Sequence, residues 1–195
     1  VSEGLVDLPD YTLVDLICGE EKETVWPKDY SDHLLGKQFK IFTEGFKSVI
    51  SSYLTGGGNI FISGSYIGTD LCLGKPGKHP DVLYARDTLK YKLDADHAVK
   101  IGVVFSIDQD FLPPDMTIEF NTLLNEDIYS VEAPDAIGAV NGSQTLLRYK
   151  ENRFSAGIGY KDLYGLIAIG FPFETILLEN DRAQLMKSIL TYLIK

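Results

Sequence analysis

The chain has 195 residues with 18 basic and 28 acidic side chains, so its formal net charge is −10. This acidic balance argues against a nucleic acid as partner, because phosphate backbones are bound by clustered Lys and Arg. No apolar run approaches the ~20 residues of a membrane helix, so no membrane span is predicted. The length suits a single domain over 1–195, and the first residue, Val1, leads us to expect a piece of a longer polypeptide.

The first half of the chain shows alternating strand and helix patterns. Apolar residues between Phe39 and Tyr53 recur three or four positions apart, as on one face of a helix, and the glycines at 56–58 follow as a helix end. The apolar run at 60–62 lies between glycines, the pattern of a strand that is buried on both faces. The predicted elements are strands over 11–17 and 60–62, and helices over 39–53, 66–73 and 82–89, the last capped by Asp81.

Strand signals dominate residues 91–150, where apolar runs are separated by Pro, Gly, Asp and Asn. We interpret this stretch as an antiparallel β appendage inserted within the domain. A hairpin-like pair of strands and an amphipathic helix capped by Asp181 follow. The predicted elements of this half are strands over 101–107, 116–120, 146–149, 154–160 and 164–169, and a final helix after 181.

The turn after the strand at 60–62 has the setting of a nucleophile elbow, a sharp strand-to-helix turn flanked by glycines. The spacing G-x-S-x-G around a nucleophilic Ser65 needs a glycine at position 63, where the chain has Ser63. Glycines flank Tyr66 instead, and a tyrosine is a weak nucleophile. We therefore expect these three residues to serve the turn's own hydrogen bonds and packing. The alternative is that Ser63 or Ser65 is the nucleophile of a hydrolase.

A serine nucleophile needs a base, and the histidines are His33, His79 and His97. His79 is the candidate base, because it lies in a loop rich in Pro and Gly only a few residues after the turn. A solvated histidine is the competing interpretation for each of the three.

Carboxylates offer a second kind of site. Glu20, Glu21, Asp70 and Glu174 each follow a predicted strand or the central turn, and neighbouring strands would bring them to one edge of the sheet. A pair of carboxylates serves acid–base chemistry or holds a hard cation. The hypothesis gives Glu174 a catalytic role and assigns ligand binding to Glu20, Asp70 and Tyr66, whereas surface or capping roles are the alternative. No metal-ligand spacing is present, so neither a metal nor a cofactor is predicted.

The two cysteines, Cys18 and Cys72, are predicted to be core thiols, since neither belongs to a CxxC pair. A disulfide between them stays open. A nucleophilic Cys18 is disfavoured, because the acidic residues Glu20 and Glu21 would raise rather than lower its pKa.

Two segments resemble the class I glutamine amidotransferase-like fold: the run Gly-Gly-Asn-Ile-Phe-Ile-Ser-Gly at 57–64, and Gly-Phe-Pro-Phe-Glu-Thr at 170–175. The blocks at 60–71, 131–137, 147–149 and 155–175 resemble the carboxy-terminal domain of bacterial proteins that carry the name xanthan lyase. The resemblance implies a three-layer, flavodoxin-like sheet with helices on both faces.

The departures from this family bear on activity. The amidotransferase cysteine is absent, since the turn offers Gly64, Ser65 or Tyr66, and Glu174 stands where the histidine would fall. The resemblance thus implies a degenerate, non-catalytic accessory domain of an exported bacterial protein (secreted, periplasmic or at the cell surface) linked to polysaccharide degradation. Its expected partners are other domains of its own chain and a polysaccharide. The alternatives are a serine hydrolase or polysaccharide-active enzyme that uses the turn at 63–66, and a carbohydrate-binding module.

Overall fold

A computed structural model describes residues 6–22, 24–25 and 38–194. Within these ranges, no helix combines the length and the apolar composition needed to cross a membrane. His33, one of the histidines considered above, lies outside the described residues.

The described residues form eleven strands and four α-helices, with short 3₁₀ helices at Leu8–Asp10 and Phe173–Thr175. The strands are β1 (Val14–Gly19), β2 (Thr24–Val25), β3 (Gln38–Phe39), β4 (Asn59–Gly64), β5 (Tyr91–Ala95), β6 (Val103–Ser106), β7 (Thr117–Glu119), β8 (Ala136–Ala139), β9 (Gln144–Tyr149), β10 (Ser155–Lys161) and β11 (Gly165–Ile169). The helices are α1 (Glu44–Thr55), α2 (Ile67–Cys72), α3 (Pro80–Asp87) and α4 (Glu179–Ile194).

The central sheet has seven strands in the order β1-β4-β11-β10-β9-β6-β7. Only β1, β4 and β11 are parallel to one another, and the pairs from β11 to β7 are antiparallel. The protein is therefore a mixed α/β protein, as predicted, but the finer prediction of a flavodoxin-like layout is not confirmed.

The strands within 91–150 do not form an appendage, which corrects that part of the fold prediction. Strands β6, β7 and β9 continue the central sheet, because β9 pairs along its length with β10. Only β5 and β8 leave it and form a separate antiparallel pair. Strand patterns in a sequence do not specify which neighbour each strand will choose, which is why the segment was misplaced.

Alternate side chains of β4 enter two apolar clusters on opposite faces of the sheet. Ile60 and Ile62 join the cluster that contains the apolar face of α1, whereas Phe61 joins the one that contains the apolar face of α4. This period of two is the geometry of a strand covered on both sides. The prediction that 60–62 is a fully buried strand is confirmed, since all three residues are buried.

The ends of α3 and α4 differ from the predicted caps. The side chain of His79 accepts a hydrogen bond from the N–H of Asp81 and caps α3, and Pro80 occupies the first helical position, where it loses no hydrogen bond. Helix α4 begins at Glu179, so Asp181 lies inside its first turn and is not its cap. A carboxylate in the first turn interacts favourably with the positive end of the helix dipole.

Candidate functional site

The carboxyl ends of β1, β4 and β11 meet at one edge of the sheet, the place where α/β proteins hold ligands. The last residue of β4, Gly64, approaches β1 so closely that a Cβ at this position would lie 2.7 Å from the Cβ of Cys18. The N–H of Ser65 then donates to the carbonyl of Gly19 over 2.9 Å. The turn that follows β4 is thus fixed to the end of β1.

Both serines of the turn are buried inside the protein. Ser63 and Ser65 are 0% exposed, and neither hydroxyl has a hydrogen-bond partner among the residues that the structure describes. The predicted hydrogen bonds from these hydroxyls to the turn are therefore not formed. No base contacts either hydroxyl within the described chain.

The carboxylate of Asp135 fills the space in front of α2. Its Oδ2 accepts hydrogen bonds from the N–H groups of Gly68 and Thr69, each over 2.7 Å, and its Oδ1 accepts one from the Thr69 hydroxyl over 2.7 Å. The first N–H groups of a helix have no partner within the helix and are the donors that hold anions at many active sites. Here the chain's own carboxylate already occupies two of them.

The backbone around Asp135 is tied to the same sheet edge. Its N–H donates to the carbonyl of Gly170 over 2.8 Å, and its carbonyl accepts from the Tyr149 hydroxyl over 2.8 Å. A Cβ at Gly170 would collide with the carbonyl of Asp135, so only glycine fits there. Burial raises the pKa of Asp135 to about 7, against the hydrogen bonds from Thr69 and Gly68, which lower it.

Glu174, Glu20 and Tyr66 lie at the same edge. The Tyr129 hydroxyl donates to Oε1 of Glu174 over 2.6 Å, and both atoms lie against Gly19. Oε1 of Glu20 accepts from the N–H of Glu132 over 3.2 Å. Tyr66 is nearly buried, and burial followed by the charge of Glu20 raises its pKa. These contacts hold the loop that carries Tyr129 against the end of β1.

Asp70 and His79, two other predicted site residues, are engaged in structural contacts. The carboxylate of Asp70 is buried and accepts from the N–H groups of Ile41 and Phe42, so it anchors the chain before α1. Burial is the main cause of its raised pKa. His79 caps α3 and makes no contact with the serines. His79 therefore does not join the serines, whereas Asp70 lies next to the turn, with its N–H on the carbonyl of Tyr66 and its carboxylate on the chain before α1.

The charged cluster around Asp81 was not predicted from the sequence. Three ammonium groups surround this buried carboxylate: Lys47, which makes a short contact with Oδ1, and Lys75 and Lys40, at 2.8 and 3.3 Å from Oδ2. The cluster ties α1, α3 and two connecting segments together. Lys40 and Lys47 lie 41 and 34 residues before Asp81, and the residues share no spacing that a sequence motif could show.

Neither a thiol nucleophile nor a metal centre appears in the described part of the chain. Cys18 and Cys72 are free thiols, which answers the open question of a disulfide. Burial, followed by the charges of Asp70 and Glu174, raises the pKa of Cys18 to about 12, so it stays protonated at neutral pH. No group of three His, Cys, Asp or Glu side chains among the described residues is arranged to hold a metal ion.

The fold is similar to that of the solved structure of the "mmIFT52 N-terminal domain", with a TM-score of 0.59 and 14% sequence identity. The match covers 100% of this chain and 81% of that chain. No family model matches the chain, and no curated protein matches it. At this level of identity the likeness shows the fold alone.

This comparison overturns the resemblance drawn from the sequence. The chain is not a glutamine amidotransferase-like or xanthan lyase domain, because the fold it shares is that of the mmIFT52 N-terminal domain. The runs at 57–64 and 170–175 suggested the family through a helix end, a glycine break, a buried strand and a tight turn. Those features follow from local physics that many α/β proteins share, so they do not identify one family.

Proposed function

We propose that the chain is a non-catalytic accessory domain, which acts by binding rather than by converting a substrate. The observation that carries this proposal is the Asp135 carboxylate, which takes the N–H groups of Gly68 and Thr69 at the turn after β4. A substrate anion or a charged intermediate at this turn would have to displace a buried carboxylate held by three hydrogen bonds.

The nucleophile candidates support the same proposal. Ser63 and Ser65 are buried and neither hydroxyl has a hydrogen-bond partner among the described residues, while His79 is engaged in capping a helix. Covalent catalysis needs a nucleophile and a base within hydrogen-bond reach of one another. The catalytic roles of Ser63, Ser65, His79 and Glu174 stay predictions, as do the exported location and the link to polysaccharide degradation.

The test is covalent labelling of the purified protein with a serine-directed fluorophosphonate, read by mass spectrometry. We expect no label at Ser63 or Ser65. We also expect that Ser65→Ala does not change any ester hydrolysis measured with the wild type. A matched control is Ser48→Ala, which changes an exposed serine on α1. Stoichiometric labelling that Ser65→Ala or Ser63→Ala removes, and that Ser48→Ala leaves intact, would overturn the proposal.

A further inference from the structure

Strand β1 lies at an open edge of the central sheet. It pairs in parallel with β4 on one side, and no strand among the described residues pairs with its other side. The opposite edge of the sheet is closed, because the N–H of Leu177 donates to the carbonyl of Glu119 at the end of β7. An edge strand with free N–H and C=O groups is a template on which a further strand can form.

A groove lies beside β1 on the side of the sheet that faces α1. Its volume is about 320 Å³, and its apolar lining comes from Leu16 and Cys18 of β1 and from Ile41 and Phe46 near the start of α1. Each of these four side chains is only partly buried by the core that it contacts. A strand added beside β1 would point every second side chain into this groove, where apolar side chains would be shielded from water.

The other face of β1 combines an exposed apolar side chain with negative charge. Ile17 is 55% exposed, and Asp15, two residues before it, points to the same face. Asp15 pairs in register with Phe61. The ring of Phe173 packs edge-on against Phe61, with the ring centres 5.7 Å apart, which brings the next residue, Glu174, to this face. Burial, followed by the charge of Glu174, raises the pKa of Asp15. No lysine or arginine among the described residues forms an ion pair with either carboxylate.

These two faces define the side chains that a matching strand needs. Successive residues of a strand point to opposite faces, so apolar residues would face the groove and the residues between them would face Asp15. Opposite charges on directly opposed residues stabilise a sheet, whereas like charges destabilise it. A lysine or arginine opposite Asp15 also carries an apolar stem, which suits the exposed side chain of Ile17. The matching strand therefore alternates apolar and basic side chains.

A second copy of the chain fits this edge less well than a basic strand does. Each copy carries a net charge of −10 and would bring its own Asp15 to the shared edge. A sugar or a nucleic acid lacks the regular backbone N–H and C=O groups that complete a sheet. We propose that β1 binds an extended segment of a partner protein with alternating apolar and basic residues, which pairs with it as a further strand, an inference that deepens the proposed function and rests on it.

The test uses the fluorescence anisotropy of a labelled, capped peptide of alternating valine and lysine, titrated with the purified chain. We expect saturable binding that weakens as salt screens the charges. The same peptide with methylated backbone nitrogens should not bind, because it cannot donate hydrogen bonds to β1. A peptide of alternating valine and glutamate should not bind either, because its carboxylates would oppose Asp15.

Two variants of β1 test the assignment of the edge. Ile17→Lys replaces an exposed apolar side chain with a charge of the same sign as the peptide, so it should abolish measurable binding. Asp15→Asn removes one exposed ion pair, so we expect binding to be about threefold weaker. The matched control, Asp162→Asn, changes an exposed carboxylate in the turn between β10 and β11 and should leave the affinity unchanged. All three variants should keep a thermal midpoint near that of the wild type.

The remaining outcomes decide against the proposal or separate it from the proposed function. No binding of the valine–lysine peptide, equal binding of its methylated form, or equal affinities of Ile17→Lys and Asp162→Asn would each overturn the proposal. A dimer of the peptide-free chain in light scattering that Ile17→Lys dissociates would overturn it in favour of a second copy. Phosphonate labelling of Ser65 would instead refute the non-catalytic function while leaving the peptide affinity unaffected.

Discussion

Two buried aspartates show how the same side chain is held by different chemistry. Asp135 accepts hydrogen bonds from uncharged donors on Gly68 and Thr69, and burial outweighs them and raises its pKa to about 7. Burial acts on Asp81 in the same direction, but the hydrogen bonds from Lys47 and Lys75 outweigh it and hold the pKa of Asp81 well below its usual range. In this chain the charged donors around Asp81 outweigh burial, whereas the uncharged donors around Asp135 do not.

The difference also separates two structural roles. Asp81 joins α1 and α3 through ion pairs, so this connection depends on its charge. Asp135 closes the turn after β4 through hydrogen bonds, a role that an uncharged side chain of the same shape could share. Changing the charge without the shape should therefore affect the two positions unequally.

The largest effect is expected from Asp81→Asn. The substitution removes the buried carboxylate that the ammonium groups of Lys40, Lys47 and Lys75 share, and breaking a buried ion-pair network by removing one partner is costly. We expect the free energy of unfolding at neutral pH to fall by about 3 kcal/mol, measured by urea denaturation.

Glu44→Gln is the matched control for this prediction. Glu44 also contacts Lys47, at 2.6 Å, but its side chain is 85% exposed, so the pair is screened by water. Its removal should cost less than about 0.5 kcal/mol. Equal losses of unfolding free energy in Asp81→Asn and Glu44→Gln would show that burial does not determine how much these ion pairs stabilise the fold.

A second prediction concerns the dependence of stability on pH. Because the pKa of Asp135 is raised in the folded state, the folded protein binds its proton more tightly than the unfolded chain does. The stabilisation that this proton contributes to the folded state is complete below the pKa that Asp135 has in the unfolded chain. It is lost as the pH rises through the folded-state pKa of about 7. This loss should make the unfolding free energy about 2 kcal/mol lower at pH ~7 than at pH ~5. Asp81 acts oppositely, and its contribution is lost only in stronger acid.

Urea titrations of the wild type and Asp135→Asn across this pH range isolate the effect. The pKa values of Asp15 and Asp70 are also raised, chiefly by burial, so the wild-type slope alone does not identify its source. The difference between the two proteins should carry the Asp135 contribution, because Asp15 and Asp70 are unchanged in both. Parallel pH profiles would contradict the assignment.

Local elements were predictable where local chemistry decides them. The apolar spacing before 56–58 located α1, and the run at 60–62 located the centre of β4. The side chain of Asp135 was not predictable as a partner of the turn, because 66 residues separate it from Thr69 and no spacing links them. The pairing of β6 with β9, which draws β6 and β7 into the main sheet, is long-range information of the same kind, because β7 and β8 lie between the two strands in the chain.

The capping residue of α3 shows a subtler limit. Asp81 is a good cap by composition, but it lies inside the helix and its carboxylate is engaged by lysines from other segments. His79 takes the capping role instead. An aspartate suits both a helix cap and an ion-pair cluster. Tertiary contacts decide which of these roles it takes, and a single sequence does not show those contacts.

The smallest predicted effect tests whether the backbone of Asp135, and not only its carboxylate, holds the turn. Tyr149→Phe removes the hydroxyl that donates to the carbonyls of Asp135 and Gly170, over 2.8 and 3.3 Å. The Gly170 carbonyl keeps the N–H of Asp135 as a donor, so we expect a loss of about 1 kcal/mol in urea denaturation. Tyr160→Phe is the control, because it also removes a hydroxyl from a buried tyrosine of the sheet and should cost less. If the two losses were equal, the hydroxyl of Tyr149 would not contribute specifically, and the carboxylate of Asp135 alone would account for the closed turn.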